Sequence, residues 1–154
     1  MLGLALLVVA APGRTDPAPS AAEPCCAIAS VDAAKLTVTV KTNDGKHTFA
    51  MKLANAASAR GIRQGTPVSF SNEELTLWAG TRAVKLVSIT YVPVASQSGA
   101  VASAATSPGK WIRRAPQGGK CPSTKTVTTS TGSVDCVLTH DRTAEGKGCE
   151  YYCV

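Results

Sequence analysis

Between Leu36 and Leu53 the chain alternates apolar and polar residues on both sides of an Asp-Gly pair, and this pattern leaves little choice of local structure. Leu36, Val38 and Val40 alternate with Thr37, Thr39 and Lys41, the two-residue period of a strand with one buried face. Asn43-Asp44-Gly45 follows. Asp and Gly accept positive φ, so the pair between two alternating runs predicts a tight hairpin turn. Beyond it His47, Phe49, Met51 and Leu53 share one face, and Thr48, Ala50 and Lys52 the other. A hairpin with one apolar face must be covered by more sheet or closed into a barrel.

The flanking residues supply the rest of such a body. Ile28 to Val31 reads as a strand before the hairpin, and Asn55 is placed to cap a short helix that Gly61 ends. In Pro67 to Phe70 the inward positions are Val68 and Phe70. Leu75, Leu77 and Trp78 make a short run read as an extra edge strand, Ala79-Gly80 turns the chain, and Arg82 to Val92 is a long strand. Three strands, one short helix and two strands is the order of an OB-like five-stranded barrel, so a mainly β fold of that kind is expected over residues 25–94.

Residues 1–11 are almost wholly apolar and rich in Leu, Val and Ala. The run is too short to span a bilayer but suits the apolar core of a secretory signal, although no Lys or Arg precedes it. Residues 12–24 carry four prolines and little to pack, and read as a disordered leader. Pro24 stands where lipoprotein cleavage wants a small residue, so a periplasmic or secreted protein is expected, with no transmembrane span. In that oxidising setting Cys25, Cys26, Cys121, Cys136, Cys149 and Cys153 read as a disulfide framework. Four of them follow residue 120, which predicts at least one bridge within the tail. Neighbouring cysteines rarely bridge, so Cys25 and Cys26 are expected to reach the tail and tie the two ends together; the pairing itself stays open.

Residues 95–109 are rich in Ala, Ser and Gly and read as a linker. The unit that follows, 110–154, contains strand patterns at Lys125–Thr129, Ser133–Leu138 and Cys149–Val154. A three-stranded meander of that size has too little apolar surface to stand alone, and its four cysteines are the expected staples.

Pro24-Cys25-Cys26-Ala27-Ile28, Val31-Asp32, the Gly45–Phe49 stretch and Gly65-Thr66-Pro67-Val68 resemble a group of small exported bacterial proteins of unknown function that begin Pro-Cys-Cys-x-Ile. The resemblance covers residues 24–70. It implies the small barrel and brings no activity with it.

Three chemistries are open to these residues. Cys136-x-x-x-His140 with Cys149-x-x-x-Cys153 offers four soft ligands of the kind zinc takes, but an oxidising compartment favours bridges. His47 and Met51, with Trp78, resemble loosely the His, Met and Trp that hold cuprous or silver ions in periplasmic OB-type efflux chaperones. A second methionine and the Trp-Pro-x-Met pattern of those proteins are absent. Lys110-Trp111-Ile112-Arg113-Arg114 is the densest basic patch and suits an anionic surface.

The net charge of +6 is spread along the chain without a run of one sign, so nucleic acid is not an expected partner. His47 and His140 are the only histidines to offer as a general base, no nucleophile elbow or phosphate loop accompanies them, and Cys25-Cys26 lacks the Cys-x-x-Cys spacing of oxidoreductases. The sequence therefore reads as an exported, non-enzymatic binding or interaction module of the cell envelope, acting on an envelope protein or anionic surface without a cofactor. Its alternative is a soft-metal binding protein using copper, silver or zinc.

Overall fold

A computed structural model describes residues 23–93 and 109–154. The expected signal segment, most of the leader and nearly all of the expected linker lie outside the described residues.

The first part is a closed antiparallel barrel of six strands, one more than expected. These are β1 (Cys26–Asp32), β2 (Thr37–Thr42), β3 (Thr48–Leu53), β4 (Pro67–Ser71), β5 (Thr76–Ala79) and β6 (Arg82–Val92), arranged in the order β1-β2-β3-β6-β5-β4. The extra strand is the Leu75–Trp78 run. It is not an edge: β5 pairs with β4 through Phe70↔Leu77 and with β6 through Leu77↔Val84. Leu75 and Gly80, at φ 46° and 62°, turn the chain tightly enough at both ends of β5 for it to sit between its sequence neighbours.

The hairpin forms at the Asp-Gly pair, with Gly45 at φ 73° and Val38↔Met51 and Val40↔Phe49 as cross-strand partners. Val38, Val40, Phe49, Met51 and Leu53 are buried, so the alternation selects the inner face. Leu36 is the exception: it lies in the turn before β2 at φ 53° and packs against the core from there. The helix α1 (Ala56–Ala59) is capped as its sequence demands, Asn55 Oδ1 accepting the Ser58 N–H at 2.9 Å.

The second part is a four-stranded sheet in the order β7-β10-β9-β8, from β7 (Lys110–Arg114), β8 (Thr124–Thr129), β9 (Gly132–Arg142) and β10 (Gly148–Cys153). The basic patch is thus its fourth strand. Every residue of β10 is buried, because both faces of this strand are covered. Glu150 and Tyr152 face the barrel, where Tyr152 and Val137 join its core cluster. Cys149, Tyr151 and Cys153 face away and form a second cluster with Cys136 and Leu138.

The layers are joined by side chains. Tyr152 lies 5.2 Å from Phe49 and 4.8 Å from Trp111, ring centroid to centroid. Each large apolar side chain fully buried in this way contributes about 1.5–3 kcal/mol as an upper estimate, so the barrel as well as the cysteines supports the tail. Around this apolar centre, Glu150 Oε1 accepts the backbone N–H groups of Asn72 and Glu73, at 2.8 and 3.3 Å. Arg142, 1% exposed, is paired with Glu73, Glu74 and Glu145.

Candidate functional site

All six cysteines are paired, as Cys25–Cys26, Cys121–Cys149 and Cys136–Cys153. The tail bridges meet the expectation of staples within that unit. Cys25 and Cys26 do not: they bridge to each other instead of reaching the tail. The reason lies in β1. Cys26 is locked between Thr42 of β2 and Val68 of β4 with its sulfur in the barrel core at 0% exposure, so no tail cysteine can approach it. Cys25 does reach the tail, by contact: its sulfur lies 3.2 Å from the carbonyl oxygen of Thr139.

The open face of the tail sheet carries the first candidate site. Side chains alternate across a strand, and from β7 the positions on this face are Lys110, Ile112 and Arg114, beside Cys153, Tyr151 and Cys149 of β10 through the ladder neighbours that share their face. Val127 and Val134 face each other across β8 and β9 on the same side. Lys110, Ile112, Arg114, Val127, Val134 and Cys153 line a groove of about 340 Å³, with Ile112, Val127, Val134 and Cys153 apolar and Lys110 and Arg114 cationic, whereas Tyr151 and Cys149 are buried below it. Neither cation has an ion-pair partner among the described residues, and β7 and β8 have no strand on their outer edges.

The basic patch named from the sequence is therefore divided between two faces. Lys110 and Arg114 stand at the groove, whereas Trp111 packs on Phe49 and Phe70 and Arg113 pairs with Glu73 on the barrel side. Val127 and Val134 were not singled out by sequence reading. Their alternation is visible, but only the strand order brings them opposite Ile112.

The metal candidates are placed apart. Met51 is fully buried in the barrel, while His47 precedes β3 in the hairpin turn, 6.1 Å from Tyr91 ring to ring. Four residues along a strand separate the two by about 13 Å. Trp78 is remote in another sense: it projects outward from β5 and stacks on His140, with centroids 4.3 Å apart. The cysteines of the Cys136, His140, Cys149 and Cys153 set are all in bridges. Among the described residues no group of three or more His, Cys, Asp or Glu side chains is arranged to hold a metal ion.

One arrangement looks like an acyl-transfer triad. Ser69 Oγ and His140 Nδ1 share a hydrogen bond of 3.1 Å, and Glu145 Oε1 is 3.9 Å from Nε2. Ser69 is 3% and His140 4% exposed, however, closed between β4, β5 and the tail, so no substrate carbonyl can reach the hydroxyl. Desolvation holds the His140 imidazole below its usual pKa, and the buried ring acts as an interlayer contact.

A second cleft, of about 410 Å³, opens where the two layers meet, between Pro24, Cys25, Asn43 and Asp44 on one side and Cys121, Ser123 and Val137 on the other. Its charged side chains are Glu23 and Asp44.

No family model, curated protein or solved structure matches the chain. Its three disulfides fit a compartment other than the cytoplasm, and among the described residues no helix is long and apolar enough to cross a membrane.

Proposed function

We propose that this protein is an exported, non-enzymatic binding module of the cell envelope, periplasmic or secreted, which captures an acidic extended segment of a partner protein on the open face of its tail sheet. The observation that carries this reading is the order Lys110, Ile112, Arg114 along one side of an unpaired edge strand, beside an apolar groove. A strand added to that edge would place its own alternate side chains opposite these three. The complement of cation, apolar, cation is acid, apolar, acid, so the segment carries Asp or Glu at two positions four apart with an apolar residue midway. Backbone pairing contributes affinity, and the charges give register and specificity.

Both tail bridges support this assignment, because Cys153 in the groove wall ties β10 to Cys136 of β9 and Cys149 ties it to Cys121 in the β7–β8 connection. A rigid platform loses little entropy when it binds.

The test is calorimetric titration with a synthetic peptide of that pattern and with its Asn/Gln counterpart. The acidic peptide is expected to bind, more weakly as salt rises, and the Lys110→Glu, Arg114→Glu double variant to lose about tenfold or more in affinity. Equal binding of both peptides, or of the acidic peptide to both proteins, would sink the proposal.

A further inference from the structure

The Cys25–Cys26 bridge differs in kind from the two in the tail. It joins residues that are already covalent neighbours, so it restricts the unfolded chain hardly at all, whereas the tail bridges close sequence separations of 28 and 17 residues. The backbone around it is held without it: Cys26 is paired with Thr42 and Val68, and the Cys25 carbonyl accepts the Asn43 N–H at 3.0 Å. As a staple it is redundant.

Its two sulfurs also meet different surroundings. Cys26 is sealed in the barrel core, whereas Cys25 is half-buried and forms part of the wall of the 410 Å³ cleft between the layers. The Thr139 and Val68 carbonyl oxygens lie 3.2 and 3.6 Å from the Cys25 sulfur. A disulfide sulfur has no proton to give them, but a thiol in the same place would donate to either. Acceptors for the reduced form therefore already stand on the buried side of Cys25.

We propose that Cys25–Cys26 is a thiol-exchange site, entered from this cleft and attacked at Cys25. The thiolate of an external thiol forms a new S–S bond to Cys25 as the Cys25–Cys26 bond breaks; the electron pair leaves on the Cys26 sulfur, which takes up the proton that the attacking thiol gave up. A second external thiolate attacks the outer sulfur of the mixed disulfide, releasing the external disulfide and leaving Cys25 to take up a proton as a thiol. Two external thiols lose two electrons, and the protein gains two electrons and two protons.

The cleft also selects the thiol. Glu23 and Asp44 are its charged lining residues and both are acidic, so a neutral or cationic thiol approaches more readily than an anionic one. No residue lines both this cleft and the peptide groove.

The whole protein would be treated with cysteamine, thioglycolate or the dithiol dithiothreitol, quenched by alkylation at intervals and mapped by peptide mass spectrometry, with circular dichroism recorded in parallel. The Cys25 peptide is expected to take up cysteamine before any tail cysteine is modified, several-fold faster than thioglycolate. Rising salt and Asp44→Asn should both narrow that preference. Reduction by dithiothreitol should leave Cys25 and Cys26 alkylated together by the quench while the β spectrum persists. Adducts first at Cys121, Cys136, Cys149 or Cys153, adducts at Cys26 rather than Cys25, or opening only as the fold melts would overturn the proposal.

Discussion

His140 lies flat on Trp78, the ring planes 4° apart and the centroids 4.3 Å apart, so a tail histidine covers the outer surface of the barrel. Burial lowers the His140 pKa from 6.5; Glu145 opposes this, Arg142 adds to it, and Glu150 and Glu74 also oppose it. The unfolded chain therefore takes up this proton at higher pH than the folded one does. Stability contributed by the neutral ring is intact above about pH 6.5 and declines as pH falls below that, towards the folded pKa. Thermal melts between pH 7 and pH 5 should show a falling Tm, and His140→Phe should flatten that slope. The lowered carboxyls of Asp44 and Glu145 act in a separate window below pH 4.5. A slope unchanged in the variant would assign the loss to another group.

Glu150 holds the β4–β5 turn by accepting two backbone N–H groups from within a buried seam. Glu150→Ala leaves both donors without a partner, each costing about 1–3 kcal/mol unless water enters. Glu150→Gln keeps an acceptor oxygen at the same reach and should cost markedly less. Urea unfolding of the two variants measures the difference; equal losses would mean that charge, not hydrogen bonding, matters here.

The three bridges should rank by the chain they close. Loop-closure entropy gives about 3–4 kcal/mol for each of the tail bridges and well under 1 kcal/mol for Cys25–Cys26. Paired Cys→Ala variants, which bury no new hydroxyl at Cys26, should therefore melt far below the parent for Cys121/Cys149 and Cys136/Cys153, and much nearer to it for Cys25/Cys26. A large loss from the last pair would show that this bridge is structural after all.

What could be read in the sequence was whatever depends on neighbours along the chain. The alternation from Val38 to Leu53 with its Asp-Gly turn, the Asn55 cap and the inward Val68 and Phe70 all appear where local pattern puts them. The sixth strand was visible only as a short apolar run, because whether Thr76–Ala79 is an edge or a partner depends on Leu75 taking positive φ, which a leucine does not advertise. The basic patch had one composition but two faces. Its division into Lys110 and Arg114 at the groove, and Trp111 and Arg113 at the barrel, follows from β7 pairing with β10, a contact across some forty residues. The Cys25–Cys26 bridge was hidden for a similar reason: what excludes other partners is the burial of Cys26 between two strands, not its spacing.

The same edge strand depends on a glycine at the start of β10. Gly148 has φ +83°, and a Cβ there would sit 2.5 Å from the Arg114 carbonyl oxygen, closer than real side chains come to backbone. Gly146, two residues earlier, has φ +69° but open space around its Cβ position. Gly146→Ala should therefore cost only the left-handed backbone, about 1 kcal/mol. Gly148→Ala adds a backbone collision that pushes the end of β7 away from β10, for a total of about 2–4 kcal/mol. Because Arg114 is the residue displaced, Gly148→Ala should also weaken binding of the acidic peptide, whereas Gly146→Ala should leave it unchanged. Melting curves and titrations on the two variants separate the effects. If Gly148→Ala destabilises the fold yet binds the peptide as tightly as the parent does, the groove beside β7 is not where the peptide lies.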